Sequence, residues 1–430
     1  MLDMVRIHPL LRPFDADVEL PGSKSITNRA LLMAALSDGP CRIDRALDSD
    51  DARRMVEGLI CLGFDVEADW PAARIIVQGR SGEVPASSAE LFVGNAGTAA
   101  RFLAAASALA TGEIRLDGVP RMRERPMGDL FEALRSMGAD VLPEQGRDAL
   151  PALVRSSGVR GGEVHIRAGS SSQFVSALLL IGPCCPEGLR VRIEGPLVSE
   201  PYVAMTLEMI RRWGGCVEVG VSGDYEVGGT SGYRSREWLV EPDASGATYF
   251  MAAAAVTGGR ALIRGLGRDS LQGDVAFADV LGRMGCTVEW LPEGVQVRGP
   301  ERLGGVEVDM NGISDTVMSL AAIAPFASGP VSIRNVAHIR GKETDRISAV
   351  VAELNRLGVA VDELPDGLTI QPVHELRPAL VQTYDDHRMA MSFAVAGLAA
   401  PGVAIANPAC VNKTYPGFWR DLEEATASAR

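Results

Sequence analysis

The sequence has 430 residues, of which 47% are apolar and 23% are charged, a composition typical of a globular chain with more than one packed core. Its formal net charge of −13 argues against a nucleic-acid partner, because neutralising phosphates requires a basic surface. Taken alone, the charge also argues against anionic substrates, but net charge does not describe a local pocket.

The sequence contains no segment typical of a signal peptide or a membrane span. The N-terminal residues are interrupted by His8, Pro9 and charged side chains, and the apolar runs at 247–256, 317–327 and 391–406 are short or broken by Ser, Gly or Pro. The seven Cys form no Cys-x-x-Cys pair, and the five His have no metal-ligand spacing. We therefore expect a cytoplasmic protein with reduced cysteines and no bound metal.

Two interleaved series of glycines divide the chain into repeats of 70 to 76 residues. In the first series an amphipathic stretch ends at the glycine and an alternating, strand-like run follows; these glycines are Gly63, Gly138, Gly214, Gly285 and Gly358. In the second series a run rich in Ala and Leu ends near the glycine; these glycines are Gly39, Gly112, Gly188, Gly258, Gly329 and Gly402. The pattern predicts six copies of a helix–strand–helix–strand unit, with the first series in the left-handed conformation that ends a helix.

The alanine-rich helices are apolar on nearly every side, which predicts that they are buried. Six such helices would suit two three-repeat domains, each with its buried helices enclosed by sheets. A solenoid is the alternative for a repeated chain, but neither end carries the polar capping repeat that a solenoid needs.

The predicted buried helices begin with small polar residues, as helix N-caps do. In chain order these starts are residues 22–25, 94–98, 170–173, 243–245, 314–316 and 384–388. Capping explains the Ser, Asn, Asp and Thr residues, but it does not explain Lys24, Gln173, His387 or Arg388. The second helix of each copy is expected to begin in the same way, at residues 125–126, 199–202, 272–274, 342–346 and 413–416.

Lysine is confined to these predicted helix starts. Of the 42 Lys and Arg residues only Lys24, Lys342 and Lys413 are lysines, and an ammonium is not interchangeable with a guanidinium. If the helix starts converge, their unpaired N–H groups and dipoles would combine with the basic side chains into a pocket for phosphates and carboxylates. The arginines at the same starts are Arg29, Arg101, Arg125, Arg346 and Arg388.

Two carboxylates, Asp315 and Glu343, lie among these basic residues. Carboxylates in different environments can serve as an acid and base pair, although each taken singly is explained as a helix cap. The sequence has no Gly-x-Gly-x-x-Gly before a helix and no Walker lysine, because Val336 stands where the motif before Lys342 needs a glycine. Nucleotide binding by these two motifs is therefore disfavoured.

Seven stretches of the chain resemble the motifs of the 5-enolpyruvylshikimate-3-phosphate (EPSP) synthase family. They are residues 20–29, 94–98, 120–126, 171–174, 342–346, 386–389 and 413–414, in the family's order over nearly the full length. The resemblance implies an α/β protein with the two-domain inverse α/β barrel-like enolpyruvyl transferase fold, each domain having three βαβαββ repeats around buried parallel helices. It implies one domain of residues 21–240 and a second of residues 1–20 with 241–430, with the active-site cleft between them.

The resemblance also implies the reaction and the residues that carry it. The family transfers the enolpyruvyl group of phosphoenolpyruvate to the 5-hydroxyl of shikimate 3-phosphate, with release of phosphate, in aromatic amino-acid biosynthesis. The residues that match its shikimate 3-phosphate contacts are Lys24, Ser25, Arg29, Ser171, Ser172, Gln173, Ser199, Asp315, His338 and Lys342. The residues that match its phosphoenolpyruvate contacts are Lys24, Gly97, Arg125, Gln173, Arg346, Arg388 and Lys413.

The expected mechanism is addition followed by elimination through a tetrahedral adduct. Asp315 is expected to be the base towards the 5-hydroxyl and Glu343 the proton donor to the methylene carbon. Lys24 and Lys413 are expected to stabilise the charges of the phosphate and carboxylate. No cofactor is implied, and we expect a monomer whose partners are these two small anions, with neither nucleic acid nor membrane.

Two positions depart from the family's pattern, and two other functions compete with it. Phe102 stands where many members have Pro, and His338 stands where many have Asn. The UDP-N-acetylglucosamine enolpyruvyl transferases are the alternative enzyme, but they carry a Cys in a loop that here, at residues 117–126, has none. A non-enzymatic repeat scaffold is the alternative of another class, and it predicts that charge-neutral changes at Lys24, Glu343 and Lys413 are tolerated.

Overall fold

The helices of the repeats fall into a buried series and a more exposed series. In the computed structural model, which describes residues 4–220, 223–229 and 232–430, the helices are α1 (Lys24–Ala35), α2 (Asp50–Cys61), α3 (Gly97–Ser107), α4 (Pro120–Glu124), α5 (Gly128–Ser136), α6 (Ser172–Ile181), α7 (Glu200–Arg212), α8 (Ala244–Thr257), α9 (Phe277–Arg283), α10 (Val317–Ile323), α11 (Arg346–Arg356), α12 (His387–Ala399) and α13 (Phe418–Thr426). Short 3₁₀ segments lie at Gly182–Cys184, Gly273–Ala276, Asn311–Thr316, Ala324–Phe326, Ala337–Gly341, Pro408–Lys413 and Ala427–Ala429. The alanine-rich helices α1, α3, α6, α8, α10 and α12 are buried along nearly their whole length, which confirms the prediction made from their apolar character.

The strands form small sheets around these helices. They are β1 (Met4–Arg6), β2 (Asp15–Val18), β3 (Pro40–Asp44), β4 (Asp65–Asp69), β5 (Arg74–Gln78), β6 (Ser88–Phe92), β7 (Thr111–Asp117), β8 (Asp140–Pro143), β9 (Ala152–Ser157), β10 (Gly162–Arg167), β11 (Leu189–Glu194), β12 (Val217–Val219), β13 (Tyr225–Val227), β14 (Glu237–Leu239), β15 (Arg260–Arg264), β16 (Thr287–Leu291), β17 (Gly294–Arg298), β18 (Val306–Asp309), β19 (Val331–Arg334), β20 (Val361–Leu364), β21 (Gly367–Ile370), β22 (Ala379–Val381) and β23 (Val403–Ala406).

Five of the six sheets in the described part of the chain share one order. In the sheet β6-β7-β9-β8, β6 is parallel to β7, with Leu91 opposite Leu116, and β7 is antiparallel to β9, with Leu116 opposite Ala152. The sheets β14-β3-β5-β4, β10-β11-β13-β12, β2-β15-β17-β16 and β18-β19-β21-β20 follow the same order, and the sixth sheet is β22-β23-β1. Each complete repeat is therefore a βαβαββ unit, and the predicted fold class is confirmed.

The chain forms two compact units. Gly22–Val240 is the continuous unit, and the segment up to Pro21 together with Glu241–Arg430 is the discontinuous unit. Strands distant in sequence complete the sheets within each unit: β14 pairs in parallel with β3, β2 pairs in parallel with β15, and β1 pairs antiparallel with β23. The N-terminal strands are thereby built into sheets of the C-terminal half.

The first series of glycines ends helices as predicted. Gly63, Gly138, Gly214, Gly285 and Gly358 all have positive φ, between 81° and 102°. A residue with a Cβ is strained in this conformation, which explains why glycine occupies each of these helix ends.

Five predicted site residues, including Lys342 as the C-cap of a 3₁₀ segment, do not begin helices, and the sequence interpretation was wrong on this point. Asp315 lies in the 3₁₀ segment that precedes α10, and Lys413 is the last residue of another 3₁₀ segment, ahead of α13. Arg125 is the C-cap of α4, with an extended backbone (ψ 138°) that its neighbour Pro126 favours. Glu343 lies in the turn between a 3₁₀ segment and the first residue of α11.

No helix in the described part of the chain combines the length and the apolar character needed to cross a membrane.

Candidate active site

In the continuous unit, hydrogen bonds join the first two turns of α1, α6 and α7. Arg29, one turn into α1, donates from Nε to Thr206 Oγ1 at 2.7 Å and from Nη2 to Ser176 Oγ at 3.2 Å. Its guanidinium also donates to the backbone oxygens of Ser25, at 2.9 Å, and Tyr202, at 3.0 Å. Burial lowers the pKa of Arg29 to about 10, so the side chain remains a cation at neutral pH.

Two arginines of this unit lie over buried aromatic rings. The Cζ of Arg29 is 5.4 Å from the ring centre of Phe102, and the Cζ of Arg101 is 5.8 Å from that of Phe174. Such contacts favour a cation over the face of a ring. Phe102, at the position where the sequence departs from the family's pattern, lies inside α3 without interrupting the helix.

The beginning of α3 approaches α6 and two arginines. Gln173 Nε2, at the start of α6, donates to Thr98 Oγ1 at 3.3 Å. Arg101 Nη1 donates to the backbone oxygen of Gly97 at 3.0 Å. A Cβ on Gly97 would lie 2.4 Å from Arg125 Nη2 and 2.6 Å from Arg101 Nη1, so a glycine is needed for the two guanidinium groups to approach the backbone here.

The other predicted residues of this unit lie at the same helix starts. Lys24 is the first residue of α1, and its Nζ lies 3.5 Å from Asp51 Oδ2. Ser171 is the N-cap of α6 and Ser172 its first residue. Ser199 precedes α7 with a left-handed backbone (φ 51°). The continuous unit therefore brings together helix N-termini, hydroxyl groups and cations, a combination that suits phosphate binding.

In the discontinuous unit, one buried arginine contacts three carboxylates. Arg346 donates from Nε to Asp386 Oδ2 at 2.8 Å, from Nη1 to Asp315 Oδ1 at 3.0 Å, and from Nη2 to Glu343 Oε2 at 2.9 Å. Its side chain is 1% exposed. Burial acts to lower the pKa of Arg346, but the three carboxylates outweigh burial and raise that pKa above its ordinary range.

Asp315 and Glu343 each contact a second cation. Arg388 Nη2 donates to Asp315 Oδ2 at 2.8 Å, and Lys413 Nζ lies 3.7 Å from Glu343 Oε1. Arg388 Nη1 is also 3.5 Å from the hydroxyl of Tyr249. The sequence indicated a dense cationic pocket, and in this unit that interpretation needs correction, because carboxylates contact each of these three basic side chains.

His338 and Lys342 lie beside this cluster. His338 is buried, and burial together with the positive charge of Lys342 lowers the pKa of His338 to about 4. The imidazole is therefore neutral at neutral pH and can donate one hydrogen bond and accept another.

Comparison with known proteins places the chain in a family. The model of the family described as EPSP synthase (3-phosphoshikimate 1-carboxyvinyltransferase) matches residues 11–422. The chain belongs to the EPSP synthase family. A 3-phosphoshikimate 1-carboxyvinyltransferase of Nostoc punctiforme is 49% identical over 420 residues, which cover 97% of this chain and 98% of the relative. A chloroplastic one of Brassica napus is 44% identical over 433 residues, covering 97% and 84%.

A solved structure agrees with this membership at the level of the fold. The EPSP synthase of Acinetobacter baumannii matches with a TM-score of 0.81 at 24% identity, covering 98% of each chain. The family and the relatives confirm the predicted enolpyruvyl transfer of the shikimate pathway, and the UDP-N-acetylglucosamine alternative is not favoured.

The predicted residues form two groups, which we call half-sites, one in each unit. The half-site of the continuous unit contains Lys24, Ser25, Arg29, Gly97, Arg125, Ser171, Ser172, Gln173 and Ser199. The half-site of the discontinuous unit contains Asp315, His338, Lys342, Glu343, Arg346, Arg388 and Lys413. No group of His, Cys, Asp and Glu within the described ranges is arranged to hold a metal ion.

Sequence reasoning missed several residues that contact the predicted ones, among them Ser176 and Thr206 at Arg29, and Asp386, Asp51 and Tyr249. Asp386 lies in a stretch that resembles the family, but the sequence suggested no role for it except as the N-cap of α12. It fills that role, and its carboxylate also contacts Arg346. Asp51 and Tyr249 belong to no motif of the sequence. Asp51 could have been suspected from its place in the first turn of α2, the second helix of its repeat.

Proposed function

We propose that both half-sites act on the same pair of substrates in the transfer of the enolpyruvyl group from phosphoenolpyruvate to shikimate 3-phosphate. The observation that carries the proposal is the Arg346 cluster, in which two carboxylates, Asp315 and Glu343, share one buried arginine. Each carboxylate also contacts a different second cation, Arg388 or Lys413. Such an arrangement supplies both an acid and a base within a few ångströms of binding groups for an anion.

We assign the shikimate 3-phosphate contacts mainly to the continuous unit. The starts of α1, α6 and α7 would bind the phosphate and the ring hydroxyls through Lys24, Ser25, Ser171, Ser172, Gln173 and Ser199. Arg29 already donates four hydrogen bonds to protein groups, so it would offer the substrate only its second Nη1–H. His338, Lys342 and Asp315 of the discontinuous unit complete this set in the proposal.

The phosphoenolpyruvate contacts are assigned to both units: Lys24, Gly97, Arg125 and Gln173, with Arg346, Arg388 and Lys413. Arg346 and Arg388 present donors on opposite oxygens of Asp315, a geometry that equally suits a substrate carboxylate. A substrate carboxylate at these arginines would replace Asp315 there. Asp315 would then be released to accept a proton.

The chemistry follows from this exchange. Asp315 takes the proton of the 5-hydroxyl, the hydroxyl oxygen bonds to C2 of phosphoenolpyruvate, and C3 takes a proton from Glu343. The added proton makes C3 a methyl group. The tetrahedral adduct then loses any one of the methyl protons to Glu343 and expels phosphate, which restores the double bond as the enol ether, and the proton held by Asp315 leaves with the phosphate. Arg346 and Lys413 lie on the two different oxygens of the Glu343 carboxylate, so both basic groups are beside the carbon that Glu343 would protonate in this proposal.

We also propose that the enzyme works as a cytoplasmic monomer. The seven cysteines are all free, which supports a reducing compartment.

Phosphate release from phosphoenolpyruvate tests the proposed function. We expect release with shikimate 3-phosphate and none with UDP-N-acetylglucosamine. The variant Asp315→Asn should lower the rate by about two to four orders of magnitude, as loss of a general base does. Glu363→Gln is the matched control, because Glu363 is a partly exposed carboxylate whose hydrogen bonds are to Arg340 and Ser348, neither of which is proposed to contact a substrate. Release with UDP-N-acetylglucosamine alone, or with neither acceptor, would contradict the proposal.

A further inference from the structure

The segment that leads from β22 into α12 has an unusual backbone. Tyr384 and Asp385 are consecutive non-glycine residues with φ of 54° and 55°. Side chains with a Cβ rarely adopt this left-handed region, so surrounding contacts must hold it. The next residue is Asp386, which contacts Arg346, and Arg388 follows two residues later. The position of this segment therefore decides where two members of the Arg346 cluster lie.

A fully buried carboxylate holds the segment. Glu353 is 0% exposed and accepts a hydrogen bond from the Tyr384 hydroxyl at 2.7 Å. It also accepts one from the backbone N–H of Gln382 at 2.9 Å and one from Arg356 Nε at 3.0 Å. Burial together with the Glu353 carboxylate raises the pKa of Tyr384 to about 12, so the hydroxyl remains a donor at neutral pH.

Glu353 and Arg346 belong to the same helix. Both lie on α11, seven residues apart, which places them two turns apart on one face. Arg346 contacts the segment at Asp386, and Glu353 contacts it at Gln382 and Tyr384. One face of α11 thus fixes the segment at two points, and only the first of these lies among the proposed substrate contacts.

We propose that Glu353 is a positioning residue that acts through Tyr384 to hold the β22–α12 segment, so that Asp386 and Arg388 meet Arg346 and Asp315. This inference rests on the proposed function, because Arg346 and Arg388 are assigned there to phosphoenolpyruvate. It predicts that loss of the contact between Glu353 and Tyr384 raises the KM for phosphoenolpyruvate far more than the KM for shikimate 3-phosphate. If the contact only stabilised the fold, its loss would change the two KM values to the same extent.

The variant Tyr384→Phe tests the proposal, because it removes the hydroxyl and keeps the ring. We expect the KM for phosphoenolpyruvate to rise roughly tenfold, as the loss of one hydrogen bond to a charged group predicts, and the KM for shikimate 3-phosphate to stay within twofold. Tyr233→Phe is the matched control: Tyr233 donates a bond of the same length, 2.7 Å, to the backbone oxygen of Leu180 in the continuous unit. We expect this control to lower thermal stability and to leave both KM values unchanged.

A second variant and a second measurement keep the test decisive. Glu353→Gln should raise the KM for phosphoenolpyruvate as Tyr384→Phe does. In the double variant this KM should be no higher than in the more affected single variant, because both substitutions remove the same contact. Amide hydrogen exchange of the wild type and the variants follows the segment without substrates, and the amides of residues 382–388 should exchange faster in each variant. This measurement needs no turnover, so it tests the positioning role even if the wild type releases no phosphate. A failure to release phosphate would refute the proposed function instead. Unchanged exchange, an unchanged KM for phosphoenolpyruvate, or an equal rise in both KM values would overturn the positioning role.

Discussion

Replacing Gly97 with alanine tests the arrangement of arginines at the start of α3. The added Cβ would lie 2.4 Å from Arg125 Nη2, 2.6 Å from Arg101 Nη1 and 2.7 Å from Arg125 Cζ. Ordinary contacts of a carbon atom are about 3.5–4.0 Å, so both guanidinium groups have to give way, each by about 1 Å or with a shift of the backbone. Arg101 donates to the backbone oxygens of Gly97 and Pro126, at 3.0 and 2.9 Å, and both of these bonds oppose its movement.

We expect Arg125 to be displaced further than Arg101, because two of its atoms, Nη2 and Cζ, lie within 2.7 Å of the added Cβ. Its Nη1 donates to the backbone oxygen of Asn95 at 3.1 Å, and displacement would also move it from the position proposed for phosphoenolpyruvate. Loss of one hydrogen bond to a charged group costs about 1.5–3 kcal/mol, which corresponds to a rise of roughly 10-fold to 150-fold in the KM for phosphoenolpyruvate. The KM for shikimate 3-phosphate should change much less, because most of its proposed contacts lie at the starts of α1, α6 and α7.

Steady-state kinetics with each substrate varied in turn measures this difference. Gly282→Ala is the matched control, because Gly282 lies in α9 and the nearest atom to its added Cβ, Val288 Cγ2, is at an ordinary contact distance of 3.8 Å. The control should leave both KM values unchanged. If Gly97→Ala leaves the KM for phosphoenolpyruvate within twofold of the wild type, Arg125 does not bind this substrate as proposed.

Two further predictions concern stability. Arg346→Lys should lower the free energy of unfolding by about 3–5 kcal/mol, because a lysine cannot reach all three carboxylates and leaves buried charge unpaired. Arg155→Lys, in an ion pair with Glu113 that is exposed on both sides, should cost less than about 1 kcal/mol in the same urea titration. Between pH 6.5 and 4 the unfolded chain protonates His338 while the folded protein does not, so stability falls as pH falls through this window. His338→Asn should therefore reduce the loss of unfolding free energy between pH 7 and pH 4.5 by up to about 2–3 kcal/mol, and an identical loss in wild type and variant would show that His338 does not titrate in this way.

The sequence predicts those parts of the fold that depend on local chemistry. Alanine-rich runs predict buried helices because no polar face is left to meet solvent, and glycines such as Gly63 predict helix ends because other residues are strained there. The pairing of β2 with β15 and of β14 with β3 is a long-range contact, and helix and strand periodicity alone carries no information about it. Only the resemblance to a family predicted that the N-terminal residues belong to the same domain as the C-terminal half.

The same distinction applies to the site. Lys24 and Arg388 stand out in the sequence because capping does not explain a basic side chain at a helix start. Asp386 does not stand out, because an aspartate that begins a helix is already explained as a cap. Its second contact, with Arg346, depends on the packing of α12 against another repeat and is visible only in the structure.

The central claim is that Glu343 delivers the proton to C3 of phosphoenolpyruvate. In D₂O with shikimate 3-phosphate, reversible addition at C3 introduces deuterium into the methylene group of recovered phosphoenolpyruvate, which mass spectrometry measures. For Glu343→Gln we predict that deuterium incorporation falls by about a hundredfold or more, while shikimate 3-phosphate still binds and Glu363→Gln incorporates deuterium at the wild-type rate. Incorporation by Glu343→Gln at the wild-type rate would contradict the account.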